Sequence, residues 1–128
     1  MTAKHVQYFL AFIFISLGGW CLVTPGIVEQ LAFRPEYQVL NTTSAILIGC
    51  FGAQAVLVGT VITTAKFKAR TFLIFGFVGS VPFFVFNYYF YFIAEIFTHW
   101  MLLDFAGNIG IFACGLLGFR LKKAETAA

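Results

Sequence analysis

The chain has 128 residues, of which 61% are hydrophobic, 20% aromatic and only 10% charged. A water-soluble domain needs about 25% charged residues to solvate its surface, so this composition excludes one. The formal net charge of +3 does not point to nucleic acid, because the basic residues stand at the margins of long apolar runs and form no stripe along a polar face. No polar low-complexity stretch divides residues 1–128, which read as one integral membrane domain.

In chain order, the first apolar run covers residues 8–24. Lys4 precedes it as in a signal peptide, but no A-x-A cleavage pattern follows, so it is read as a retained span. Next, Pro25 to Phe33 places Ile27, Val28 and Leu31 on one side of a helix, with Glu29 and Gln30 elsewhere. That pattern suits a short helix lying in the membrane interface, over the outer face of the bundle like a lid. Arg34-Pro35 should end it, since the residue before proline avoids the helical region.

Asn41-Thr42-Thr43 matches a glycosylation pattern but abuts the second apolar run, residues 44–63, and reads better as a helix cap. A basic loop holding Lys66, Lys68 and Arg70 leads to a third run, residues 72–92, in which Pro82 should kink the helix. After a short turn comes the fourth run, residues 100–119. Each run approaches the 20 or so residues needed to cross about 30 Å of hydrocarbon. The expected fold is an all-α four-helix transmembrane bundle.

Lys and Arg positions set the orientation. With the N-terminus in the cytoplasm, that side holds Lys4, Lys66, Lys68, Arg70, Arg120, Lys122 and Lys123, and the outer side only Arg34. Both ends are therefore expected inside. Glu29, Glu36, Glu95 and Asp104 fall toward the outer side, and Trp20, Tyr88, Tyr89, Tyr91 and Trp100 form an outer aromatic belt. Short loops and the lack of sorting signals favour a bacterial inner membrane over an endomembrane.

Membrane helices pack through small residues at four-residue spacing. Span two offers Ala45, Gly49 and Ala53, and span four offers Ala106, Gly110, Cys114 and Gly118. Span four has two faces that shun lipid, one for the bundle interior and one for a neighbouring helix, a second copy or a partner protein. Cys21, Cys50 and Cys114 are scattered through apolar runs and read as small packing residues.

Polar residues inside the spans are costly and mark sites. At roughly 1.5 Å per residue, Asp104 lies about 6 Å and Asn108 about 12 Å into span four, Asn87 about 8 Å into span three and Gln54 about 15 Å into span two. All four share the outer half of the membrane and are expected to converge, with Glu95 and His99 at the mouth. The functional reading is a site where a partly desolvated Asp104 exchanges a proton or pairs with a cation; the structural alternative is that Asp104 and Asn108 simply bond neighbouring helices. Glu95 and His99, four apart, would suit two metal ligands if their turn were helical, but a zinc site takes at least three protein ligands, so no metal is expected.

No nucleophile elbow, phosphate loop or H-E-x-x-H sequence is present. Two functions are compatible with these residues, and neither specifies a cofactor. The first is a non-enzymatic membrane protein that binds a lipophilic small molecule or serves as an accessory subunit of a membrane assembly. The alternative is a membrane enzyme or proton-coupled carrier using Asp104, Asn108, Asn87, Gln54 and His99.

Overall fold

The computed structural model describes all residues, Met1–Ala128. The chain is helical throughout, with no strand beyond an isolated bridge between Phe33 and Phe97. Helix α1 covers Ala3–Val23, α2 Pro25–Ala32, α3 Thr42–Thr64, α4 Ala69–Val78, α5 Val81–Tyr88 and α6 Met101–Ala127; a single turn of 3-10 helix lies at Pro35–Tyr37. Four segments are long and apolar enough to cross a membrane: α1, α3, the composite Ala69–Ile93 and α6.

The boundaries run beyond the apolar runs, because a helix ends where its caps are and not where hydrophobicity stops. Thr2 caps α1, which starts at Ala3, five residues before the run begins, and the Thr2 hydroxyl lies 2.8 Å from His5 Nδ1. At the head of α3, Asn41 Oδ1 accepts from Ser44 N at 2.9 Å while Ser44 Oγ accepts from Asn41 N at 3.2 Å, a reciprocal cap. Helix α6 continues through Arg120, Lys122 and Lys123, residues that favour helix and need no apolar surroundings.

The third span breaks instead of merely bending. Helix α4 stops at Val78, and α5 restarts at Val81 with Pro82 in its first turn, where a missing N–H costs no helical bond. Between them lies Ser80, fully buried, whose hydroxyl donates to the Gly76 carbonyl. Residues Tyr89–Ile93 then widen into a π-helical turn, closed by the Ala94 amide on the Tyr89 carbonyl at 2.8 Å. A side chain that bonds the preceding turn is the usual repair for a broken helix in an apolar medium.

Helix α1 packs against α3 and α6, and α6 packs against α4 and α5, whereas α3 makes no comparable contact with α4, α5 or α6. The end of the bundle carrying both chain termini is dense: Val6, Leu10, Ala11, Ile62, Phe67, Phe72, Ile111 and Cys114 form one buried cluster. There Gln7, buried among them, donates to the free carbonyls of Ile62 and Ala65 at the end of α3. Glu125 Oε1 accepts from the Ala3 amide at 2.8 Å, tying the end of α6 to the start of α1.

The small residues that make the seams differ in part from those expected. Helices α1 and α3 cross at Gly18, Gly52 and Gly59; a Cβ on Gly18 would lie 2.5 Å from Ala55 Cβ, and one on Gly52 would strike the backbone of Gly18, Cys21 and Leu22. Gly49 has nothing within 4 Å of such an atom, so the Ala45, Gly49, Ala53 face of α3 is not the seam. Helix α3 is apolar all round, and spacing alone does not reveal which of its small residues face inward. On α6, Gly110 meets Ile13 of α1, Gly118 meets the Phe72 ring, Cys114 is buried, and Ala106 faces outward. Gly115 forms the closest approach to α4, backbone to backbone with Gly76.

Gly52→Ala should therefore lower stability by about 1 to 3 kcal/mol through overpacking against backbone, while Gly49→Ala should be neutral within about 0.5 kcal/mol. Unfolding titrations of both variants in mild detergent check the difference; equal losses would place the seam elsewhere.

Candidate functional site: an apolar cavity with a carboxylate in its wall

The end of the bundle away from the termini is open inside. Because α3 leans on α1 and α5 leans on α6, the space between α3 and α5 is bridged only by side chains, among them Phe51 and Phe83 with ring centres 6.3 Å apart. A cavity of about 620 Å³ lies there, and 22 of its 28 lining residues are hydrophobic. Its walls include Phe14, Leu17 and Trp20 of α1, Leu47, Ile48 and Val58 of α3, Phe83, Phe86 and Phe90 of the third span, and Trp100 and Ile111. Its size and apolar lining with few polar groups are those of a small-molecule site.

Helix α2 lies across the top and contributes Val28, Leu31 and Ala32 to the lining. Two seams hold this roof. On one side, Arg34 N donates to Ile96 O and Thr98 N to Ala32 O, both at 2.9 Å, and the Phe33 and Phe97 rings meet edge to face at 5.4 Å. On the other, Glu29 reaches the start of α3: Oε1 accepts from the Val39 and Leu40 amides at 2.7 and 2.9 Å, and Oε2 accepts from Ser44 Oγ at 2.6 Å. Only 3% of Glu29 is exposed. Leu40 has φ of 47°, a strained value for a bulky side chain, and its amide is one of those the carboxylate holds. The helical wheel set Glu29 aside because its partners lie on a loop ten and more residues downstream.

The polar residues expected to converge do so in part. Asn87 Nδ2 and Asn108 Nδ2 each donate to Asp104 Oδ2 at 2.9 Å, so the third span and α6 meet at one carboxylate oxygen. Each amide also bonds a backbone carbonyl of its own helix, Phe83 and Asp104 respectively, at 2.9 Å. Since Nδ2 of Asn87 faces two acceptors, its amide can be oriented only this way. Its Oδ1 is left as the one buried side-chain oxygen or nitrogen in the protein with no partner. Asp104, Asn87, Asn108 and Gln54 all line the cavity; Gln54 makes no hydrogen bond to the other three and stands in the exposed part of the wall.

Glu95 and His99 lie apart from the cavity. The segment between the π-helical turn and α6 is not helical, because Ile96 and Thr98 pair with α2, and i, i+4 geometry is lost. Glu95 faces Arg34 at 3.6 Å, and His99 Nδ1 is 2.7 Å from the Tyr91 hydroxyl. No group of three or more His, Cys, Asp or Glu side chains is disposed to hold a metal ion.

No protein-family model, curated protein or solved structure matches the chain. The functional argument therefore rests on the cavity and its polar wall.

The Ser44 hydroxyl, then the Leu40 and Val39 amides, hold the Glu29 carboxyl below its ordinary value near 4.5 against the opposing effect of burial. A lowered carboxyl stabilises the fold fully above its unfolded value, and that contribution is lost as pH falls through the folded one. Glu29→Ala should lower the melting temperature by about 4 °C at neutral pH and deprotect the Val39 and Leu40 amides in hydrogen exchange. The deficit relative to wild type should be constant down to about pH 5 and shrink below it; a deficit that grows on acidification would overturn the assignment.

Proposed function

We propose that this is a multi-pass membrane protein with both ends in the cytoplasm, which binds a lipophilic small molecule in the outer half of its bundle without catalysing a reaction on it. The cavity carries this reading: about 620 Å³ is the volume of a drug-sized or lipid-chain-sized molecule. The membrane setting is supported by the outward surface. Only 22 of 128 residues are buried, while Phe12, Val78, Val85 and Phe92 are each more than 60% exposed, an arrangement stable only against hydrocarbon. The orientation rests on seven basic residues at the end carrying the termini, Lys4, Lys66, Lys68, Arg70, Arg120, Lys122 and Lys123, against Arg34 at the roof. The short loops between the spans favour a bacterial inner membrane.

Access is lateral. The roof is pinned at both sides, whereas α3 and α5 are separated by side chains alone, so a molecule dissolved in the bilayer reaches the cavity between those helices. The alternative of an enzyme or proton-coupled carrier has less support: Asp104 is joined to two amides, with no histidine, second carboxylate or hydroxyl continuing the chain toward the termini. An accessory-subunit role draws less support from α6 than its sequence suggests, since Gly110, Cys114 and Gly118 are used against α1 and α4; the open small-residue face is that of α3 at Gly49.

Native mass spectrometry of protein released from the membrane in mild detergent tests the reading. Wild type should carry one retained apolar molecule, and a double variant that narrows the cavity, Ile48→Phe with Val58→Phe, should lose it while keeping its helical circular dichroism. A bare chain in both cases would overturn ligand binding.

A further inference from the structure

Within the cavity, the hydrogen-bonding groups are unbalanced. Asp104 Oδ2 is saturated by Asn87 and Asn108, but Oδ1 accepts from nothing, and unlike Asn87 Oδ1 it is not buried out of reach. No cation neutralises it: the ion pairs of the protein are Arg34 with Glu95 and Lys122 with Glu125, neither of which lines the cavity. Asn87, 5% exposed, keeps its own unpartnered oxygen buried behind that wall, so Asp104 Oδ1 is the acceptor a ligand can reach. The wall therefore offers a reachable carboxylate oxygen, the Asn87 and Asn108 donors beside it are already spent, and the amide left unbonded is that of Gln54 in the exposed part of the wall.

Aromatic faces stand close by. Trp100 precedes Asp104 by one helical turn, and Trp20 approaches it edge to face with ring centres 6.4 Å apart; both line the cavity. A carboxylate next to indole rings is the setting that recognises an ammonium group, by charge pairing and by attraction to the ring face. An alcohol would supply one donor and no charge, and a carboxylate head would be repelled.

From this we infer that the cavity's ligand is a lipophilic amine, its ammonium group on Asp104 Oδ1 between Trp100 and Asn87 and its hydrocarbon toward Phe83 and Ile48. The inference rests on the ligand-binding reading above and adds the chemistry of the head group to it. Asp104 is a binding residue in this scheme, and no covalent step is involved.

Trp20 and Trp100 are the protein's two tryptophans, so intrinsic fluorescence reports on the cavity itself. The wild-type protein in zwitterionic nanodiscs is titrated with dodecylamine, dodecanol and dodecanoate, three probes with the same chain length. Dodecylamine should saturate the signal at about tenfold lower concentration than dodecanol, the difference expected for one charge-assisted bond, and dodecanoate should bind weakest. Asp104→Asn should erase the preference for the amine and leave dodecanol binding within about twofold. The wild-type series alone decides the point if that variant does not fold. Equal binding of amine and alcohol, or tighter binding of dodecanoate, would overturn cation recognition while leaving the cavity a ligand site. If no probe distinguishes wild type from the Ile48→Phe, Val58→Phe double variant, the ligand-binding reading falls, and the amine with it.

Discussion

The backbone contact between α1 and α3 at Gly18, Gly52 and Gly59 is the constraint on which the rest of the arrangement depends. Lipid is as apolar as any side chain, so helices in it hold together where their backbones approach closely and dispersion contacts are dense. Three glycines bring α3 onto α1, and a second pair, Gly76 and Gly115, brings α4 onto α6. Helix α1 also touches α6, and that line is the main helix-to-helix contact between the two pairs. A bundle built as two tight pairs sharing one seam closes well at one end and gapes on the side where the outer members of each pair face each other. The dense cluster around Leu10 and Phe72 and the cavity beneath α2 are the two ends of that geometry.

Within such a frame every polar group needs a local partner, because bulk water is not at hand. Gln7 serves the end of α3, Ser80 repairs the break above α4, and Glu29 gathers two amides and a hydroxyl at the head of α3. The Ser80 hydroxyl and both oxygens of Glu29 are bonded within their own chain. Asp104, in the cavity wall, keeps an accessible oxygen free after its neighbours are satisfied.

Much of this was legible in the sequence, for identifiable reasons. Four apolar runs gave four helices of spanning length because length and hydrophobicity act locally, and a proline in the third run sufficed to signal its interruption. Counting residues inward from the span ends brought Asp104, Asn108 and Asn87 to one level, and rise per residue is fixed by the backbone. Facing was harder. On α3 the chosen row of small residues missed the seam, since a helix apolar on every side has no periodicity to read. Glu29 and Gln7 were passed over because each is matched by atoms distant in sequence. The Glu95 and His99 pairing presumed a helical turn that the α2 seam replaces with an extended segment.

The roof has one more consequence, which concerns time. Its seam joins Ala32 and Arg34 to Ile96 and Thr98, residues separated by two complete spans. Long-range pairings of this kind form only after the intervening chain is in place. A ribosome making the protein from its first residue has already produced α1, α3 and the third span before Thr98 exists to take the Ala32 carbonyl. Through that interval α2 has only its Glu29 attachment, and the interior stands open from above as well as from the side. The finished molecule is thus more enclosed than any of its nascent forms, and its interior becomes a chamber only as the last helix is added.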